Sequence, residues 1–251
     1  MSLTRREFMG ATALAVIAGQ TTAHALELGV PTVAPPLASW RIGLVQSAPW
    51  DIDPSRMHED MARNLDRMLE TIATQGAECD WLAFNDCPLT GRAATIDPSG
   101  AQIDLLRAAA ERHACAVSFG CGAERSAMLI PSDGTPTQHG PLVTLHGRRI
   151  AIVSAALTAD ESTRVAMGRA LRQGAEALLI MNSGPSAEPT WISDVAAGLP
   201  RLHVGAACDT PVPGHTVDWL GGTRACDTHG LTLGQIAHAD EAVLKITLSM
   251  V

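Results

Sequence analysis

Lysine is almost missing from this chain. Among 251 residues only Lys245 carries an ammonium group, and every other basic side chain is an arginine. Any chemistry that needs a lysine away from the C-terminal end is thereby excluded. Tyrosine is absent, and only three Phe and five Trp occur, so the chain has no row of aromatic platforms for stacking single-stranded nucleic acid. Positive charge is also short. Lys plus Arg is 18 against 26 for Asp plus Glu, a formal net charge of -8. That balance argues against nucleic acid or anionic lipid as the main partner, since either calls for a basic face. Neither a G-x-G-x-x-G nor a Walker pattern occurs, so no nucleotide cofactor is expected. What the chain does have is apolar mass. At 46% apolar and 18% charged it can bury a sizeable core.

The first residues read as an address. Thr4-Arg5-Arg6-Glu7-Phe8-Met9 resembles the twin-arginine export motif, and an apolar run from Ala11 to Ala18 follows. The run falls well short of the roughly 20 apolar residues a membrane-spanning helix needs. Ala23-His24-Ala25 then offers a small-x-small cleavage site. The expected organisation is a twin-arginine signal peptide over 1–25, an extended Pro-rich leader over 26–39 and one α/β domain over 40–251. No cysteine stands at the cleavage site, so no membrane anchor is expected after cleavage. The implied location is periplasmic or secreted, and the implied partner of the precursor is the twin-arginine export machinery.

Six cysteines, at 79, 87, 115, 121, 208 and 226, all lie in the mature part. An oxidising compartment permits disulfides, and six cysteines allow 15 full pairings among which sequence cannot choose. The rest of the chain alternates strand and helix patterns. Apolar runs of strand length occur at 41–45, 81–84, 116–120, 127–130, 142–145, 150–154, 177–181, 202–207, 223–226, 231–236 and 242–248. Between Pro54 and Gln75 the apolar residues Met57, Met61, Leu65, Met68, Leu69 and Ile72 keep helical spacing, with Gly76 as a stop. Further helices are predicted over 103–113, 163–173 and 191–199.

Several segments, in order, resemble one family. Arg41-Ile42-Gly43-Leu44-Val45-Gln46 before a long amphipathic helix resembles the opening of the carbon-nitrogen hydrolase, or nitrilase, superfamily. Phe84-Asn85-Asp86-Cys87-Pro88-Leu89-Thr90-Gly91 resembles that family's F-P-E-x-x-x-T-G segment, which carries its catalytic glutamate. The run from Gly147 to Ala155 resembles the strand that ends in its nucleophilic cysteine. Gln173-Gly174-Ala175-Glu176-Ala177-Leu178-Leu179 is similar to its helix-to-strand turn. Gly221-Gly222-Thr223-Arg224 and Asp227-Thr228-His229-Gly230 are similar to its terminal motifs. The resemblance spans about 41–248. It implies a four-layer α-β-β-α sandwich, with two mixed sheets packed face to face, and a homodimer joined through an outer helix (163–173 or 191–199).

The family's chemistry joins three residues. A Glu deprotonates the Cys thiol, the thiolate attacks an amide or nitrile carbon, and a Lys ammonium stabilises the charge of the intermediate. This sequence departs at all three. Asp86 falls at the glutamate position with a side chain one methylene shorter. Ala155 falls at the cysteine position and has no nucleophilic atom. The segment between Cys121 and His146, where the lysine would lie, contains none. Ser154 and Cys87 are the candidate substitute nucleophiles, each with a plainer reading as a small residue in a packed place. Arg148 and Arg149 could supply positive charge, though their position before a strand suggests exposed turn residues. Cys226-Asp227-Thr228-His229 has C-x-x-H spacing but lacks a matched second ligand pair, so no metal is expected. The preferred expectation is an exported nitrilase-like protein that has lost covalent amide chemistry and binds a small ligand or acts through its surface. Its competitor is an atypical C–N hydrolase using Asp86 with Ser154 or Cys87. A third, resting on cysteine count alone, is a thiol or disulfide protein.

Export is expected to depend on the paired guanidinium groups. Replacing Arg5 and Arg6 together with lysine keeps the charge but loses the planar, multidonor group, and the two cations are not interchangeable where geometry is read. Cell fractionation should then show loss of the periplasmic form and accumulation of uncleaved precursor. Undiminished export would mean that residues 1–25 are read by another route or not at all.

Overall fold

Ser39–Gln46 (β2) sets the frame. Its Trp40, Ile42 and Leu44 alternate onto one face and are buried there, while Val45 is buried on the other. A strand buried on both sides needs covering layers on both sides. The computed structural model describes residues 14–15, 39–49, 52–91, 99–121, 126–134, 137–154, 161–181, 198–205, 222–237 and 240–249. In it β2 runs parallel to Trp81–Phe84 (β3), which runs parallel to Ala116–Cys121 (β4). Ser126–Ile130 (β5) and Gln138–His139 (β6) extend this sheet antiparallel, and Ala242–Ser249 (β13) closes antiparallel on the far side of β2. Leu14–Ala15 (β1) adds a two-residue edge beside β13, giving the order β1-β13-β2-β3-β4-β5-β6.

The second sheet has six strands. Leu142–Leu145 (β7), Arg148–Ser154 (β8), Ala177–Met181 (β9), Arg201–Val204 (β10), Arg224–Cys226 (β11) and Thr232–Gln235 (β12) follow the order β12-β11-β10-β9-β8-β7. Here β8, β9 and β10 are parallel, and β7, β11 and β12 are antiparallel to their neighbours. Both sheets are therefore mixed.

The inner faces meet in one core. Trp40, Ile42, Leu44, Trp81, Ala83 and Leu129 come from the first sheet, and Ile150, Ile152, Leu179, Met181, Leu202 and Val204 from the second. Outside the first sheet lie Met57–Gln75 (α1) and Gly100–His113 (α2). Their Leu65, Met68, Ile72, Ile103 and Leu106 cover Leu82, Phe84, Val117 and Phe119. Outside the second sheet Glu161–Arg172 (α3) lays Met167 and Ala170 over Ala151, Val153, Leu178 and Ile180. The layers are thus α-β-β-α, as the resemblance implied. Each sheet is hydrophobic on both faces, so one face finds the other sheet and the opposite face finds helices.

The element boundaries show where sequence patterning was short of information. Strands 81–84, 142–145 and 177–181 match the pattern reading. Helix α2 starts three residues before the first periodic apolar residue, because Ser99 and Gln102 form a reciprocal capping box that closes its first turn. Arg148 and Arg149, expected in an exposed turn, belong to β8 instead, where Arg149 is exposed as expected and Arg148 is not. Arg148 pairs with Glu176, and its side chain is only 17% exposed. The predicted helix over 191–199 falls almost entirely outside the described residues.

One side chain ties the sheets together. Gln46, 1% exposed, donates through Nε2 to the carbonyls of Ala237 and Asp240, both at 2.7 Å. Its Oε1 accepts from the backbone N–H of Gly222 at 3.0 Å and of Thr223 at 2.9 Å. Replacing Gln46 with alanine takes a partner from four backbone groups at once, of which the Ala237 carbonyl keeps a bond from Asp240 N–H at 3.3 Å. Buried groups without partners cost on the order of 1–3 kcal/mol each, and water can recover part of that. Gln46→Ala is expected to lower unfolding free energy by about 2–5 kcal/mol in urea titration. A loss below about 1 kcal/mol would show that solvent replaces the amide fully.

Candidate functional site

The residues that follow β3 are polar yet enclosed. Asn85, Asp86 and Thr90 are 0%, 3% and 1% exposed. Asn85 accepts at Oδ1 from Ser47 Oγ at 2.8 Å and donates from Nδ2 to the Asp86 carbonyl at 3.1 Å. Asn64 of α1 donates to the Leu89 carbonyl at 3.0 Å, which holds the turn from the helix side. Polar groups taken out of water must find such partners, so this turn is built rather than incidental.

The turn owes its shape to a slip in register. Up to Ala83 the ladder pairs Trp81 with Ala116, Leu82 with Val117 and Ala83 with Ser118. Beyond it, Gly120 N–H donates to the Asn85 carbonyl at 3.4 Å and Cys87 N–H donates to the Gly120 carbonyl at 3.1 Å. In a parallel ladder those two bonds set Gly120 level with Asp86, one residue out of step with the pairing below. A slip of one residue exchanges the faces to which side chains point. The Asp86 carboxylate consequently lies across Gly120. A Cβ there would overlap Oδ1 and stand 2.9 Å from Cγ and 3.0 Å from the Asp86 Cα. The bare Cα of Gly120 is what makes room for the acid. The next residue, Cys87, turns out of the strand with φ of +55°, a conformation uncommon for a side-chain-bearing residue.

Cys87 is 5% exposed, with Asp86 and Thr90 close to its sulfur. Burial pushes its thiol far above the usual range, the neighbouring Asp86 carboxylate pushes it further, and Thr90 opposes them only in part. A thiol in that state stays protonated, with little thiolate available for attack.

The strand registers bring the other candidate segment to this same end. Gln46, next along β2 after the Val45–Phe84 pair, bonds to Gly222 and Thr223. These lead into β11, where Arg224 is level with His203 of β10. In turn Val204 is level with Met181, and Met181 with Ser154. Asp86 and the Ser154 end of β8 therefore share one end of the two-sheet sandwich. The side chain of Ser154 and the whole of Ala155 lie outside the described residues.

The positive charges considered from sequence are not at that end. Lys245 is level with Gly43, and Gly43 with Leu82, four residues before Asp86 or roughly 13 Å along the strand. Its ammonium is ion-paired with Glu78, still further from the acid. Arg148 stands six residues before Ser154, about 20 Å away along β8, and is committed to Glu176. A cation that does stand at the Asp86 end is Arg67. It donates to the Ala48 carbonyl at 2.6 Å and to Glu241, whose Oε1 also accepts from Ala48 N–H at 2.8 Å. That pair fixes the chain just after Gln46.

Sequence reasoning missed Ser47 and Arg67 as parts of this end, and it quoted Gln46, Asn85 and Thr90 within family-like segments without giving them a role. For Ser47 and Arg67 the only signal was polarity, which by itself does not separate a site residue from a loop or a helix surface. The C-x-x-H segment is a turn: Asp227 Oδ1 accepts from His229 N–H at 2.8 Å and from Leu231 N–H at 2.9 Å. Among the described residues no group of three or more His, Cys, Asp and Glu is arranged to hold a metal ion.

Gly120→Ala should destabilise the protein by about 1–3 kcal/mol, the usual scale for forcing a methyl into a packed place. Removing the obstacle with Asp86→Ala in the same chain should recover much of that. A double-mutant cycle by thermal unfolding should give a coupling of about 1 kcal/mol or more. Additive effects would mean that the carboxylate does not rest on Gly120.

A scan against protein-family models finds no match for this chain, and a search of curated proteins finds none either. Solved structures do match it. A cysteine-to-alanine mutant of the amidase from Nesterenkonia sp. AN1, in complex with butyramide, aligns with a TM-score of 0.66 at 17% identity, covering 87% of this chain and 94% of that one. A Xanthomonas campestris CN-hydrolase superfamily protein, with an arsenic adduct in its active site, aligns with a TM-score of 0.65 at 18% identity, covering 84% and 91%. Glutamine-dependent NAD+ synthetase from Acinetobacter baumannii, with ADP, aligns at 0.61 and 12% identity, covering 83% of this chain and 45% of that one. At these identities the likeness is one of fold. The chain has the α-β-β-α sandwich of the nitrilase-superfamily amidases.

Proposed function

We propose that this chain is an exported, degenerate member of the nitrilase superfamily that binds a small carboxamide or nitrile without cleaving it. The observation that carries the reading is electrostatic. A buried carboxylate, Asp86, is retained at one end of the sandwich, while the only ammonium of the chain is bound to Glu78 towards the other. The family's ammonium has no counterpart there, and the Arg67 guanidinium at that end is engaged by Ala48 and Glu241, so the negative oxygen or nitrogen of a tetrahedral intermediate has no lysine to stabilise it. Losing a single oxyanion donor typically costs on the order of 100- to 1000-fold in turnover. Ala155, at the family's nucleophile position by resemblance, adds the second loss. The Nesterenkonia amidase mutant, with alanine in place of cysteine, was solved with butyramide. Here the alanine is native, which supports a pocket that holds an amide and leaves it intact.

A second reading rests on the closeness of the Cys87 sulfur to the Asp86 carboxylate. In it Asp86 takes the thiol proton and Cys87, or alternatively Ser154, attacks the C–N carbon. Burial opposes that proton transfer, because it would leave a thiolate in an enclosed site.

Export completes the proposal. Cleavage after Ala25 would strip Leu14–Ala15 from the sheet and leave β13 as its edge. A homodimer through α3 is in keeping with Val165 there, a large apolar residue left 48% exposed.

The test is incubation of the purified chain with butyramide, acetamide and a short nitrile. An amide-dependent rise in Tm is expected, with no ammonia release and no covalent mass increase. Ala155→Cys should remain at least 100-fold below a working amidase, since the lysine is still missing. Ammonia release or a stable adduct mapped to Cys87 or Ser154 would install the second reading. No Tm response to any amide or nitrile would remove the ligand assignment.

A further inference from the structure

Among the described residues, Cys79, Cys87, Cys115, Cys121 and Cys226 are buried cysteines outside any disulfide, and the sandwich has a large core without any of them cross-linked. We propose that two of them, Cys87 and Cys121, are a matched dithiol that closes to a disulfide and fastens the Asp86 turn to β4. The inference is independent of any amide reading.

The register carries it. The bonds that set Gly120 level with Asp86 also make Cys87 and Cys121 the next residues on adjoining segments. Neighbouring strands stand about 4.8 Å apart, and disulfides bridge Cα separations of roughly 4.4–6.8 Å. Both residues are 5% exposed and enclosed in the same region, and a charge on Cys121 would be felt at the Cys87 thiol. The other buried pair is less well placed. Trp81 level with Ala116 sets Cys115 opposite Asp80, so Cys79 lies one step off along the ladder.

Closure needs an oxidant, and a small-molecule disulfide of the glutathione class supplies it. The Cys87 thiol loses its proton to solvent, and the thiolate attacks one sulfur of the oxidant. A mixed disulfide forms and one glutathione thiolate leaves. The Cys121 thiol then loses its proton and attacks the Cys87 sulfur, forming the protein disulfide and releasing the second glutathione. Two protein thiols are oxidised and one small disulfide is reduced. Because burial disfavours the Cys87 thiolate, the reaction is slow and accelerates as pH rises. The same enclosure protects the product from reducing thiols. The device is a lock set on meeting oxidising surroundings rather than a fast switch. It ties off a segment that contains α2, and such cross-links stabilise by restricting the unfolded chain.

The experiment uses the wild-type chain. It is incubated with oxidised glutathione at pH 8.5 or with dithiothreitol, denatured, alkylated with iodoacetamide and digested with trypsin without reduction. Arg92, Arg107 and Arg112 lie between the two cysteines, so separate peptides result: 68–92 holds Cys79 with Cys87 and 113–125 holds Cys115 with Cys121, and tandem fragmentation of a joined pair tells which two are bonded. The expected product is a peptide pair joined through Cys87 and Cys121, with Cys79 and Cys115 alkylated. The oxidised protein should unfold several degrees higher, and dithiothreitol should reverse the rise. Cys121→Ser should abolish both pair and shift. Three results would overturn the proposal: alkylation of both Cys87 and Cys121 after oxidation, glutathione left on Cys87 alone, or a bond mapped to Cys79 and Cys115. The mapping on wild-type protein decides the matter even where the variant does not fold.

Discussion

The carboxamide of Gln46 is the contact on which the arrangement of the two sheets depends. Its four hydrogen bonds join the end of β2 to the start of β11 and to the carbonyls before β13. An amide has two donor hydrogens and two acceptor lone pairs on a rigid plane, and here every one is used. A hydrophobic interface between two sheets is non-directional and tolerates sliding. Four directed bonds at one end do not. They set the level at which the Asp86 end of β3 and the Ser154 end of β8 meet, and Arg67 with Glu241 holds the chain that continues from Gln46.

From that fixed level follows a division of the molecule into two chemically different ends. One end gathers enclosed polar groups: Ser47, Asn85, Asp86, Cys87 and Thr90. The other gathers charge pairs, Lys245 with Glu78 and Arg41 with Asp80, the latter at 2.6 Å. Such pairs near the surface add little stability individually. Their consequence lies in where they hold the cations. With Lys245 occupied there, the Asp86 end keeps a carboxylate and thiols but no ammonium, and its Arg67 guanidinium is engaged by Glu241 and Ala48.

Backbone strain also marks this end. Cys87 takes a left-handed φ immediately after a one-residue slip in the ladder, and Gly120 gives up a side chain so that Asp86 can lie across it. Strained residues of this kind persist only where surrounding contacts over-determine them. Asn64 from α1, Ser47 after β2 and the β4 backbone supply those contacts.

Much of this was legible in the residues themselves. The apolar runs 81–84 and 177–181 are strands because they are short, buried on both faces and bounded by breakers, and 142–145 is an edge strand with one face buried. The spacing of Met61, Leu65, Met68 and Ile72 commits α1 to one buried face. The ordered motifs led to the sandwich, and the scarcity of lysine constrained the chemistry before any coordinate was considered. These features are local or compositional, and sequence records them directly. The slip that turns Asp86 onto Gly120, the adjacency of Cys87 and Cys121, the partner of Lys245 and the grip of Gln46 on groups 176 to 194 positions away are not local. They depend on which residue faces which across a ladder. A shift of one position leaves the apolar pattern of a doubly buried strand acceptable while exchanging every facing partner. The sequence determined which elements form and that no lysine is at hand away from the C-terminal end. Only the packed sheets decided register, because register is fixed by hydrogen bonds between segments far apart in the chain.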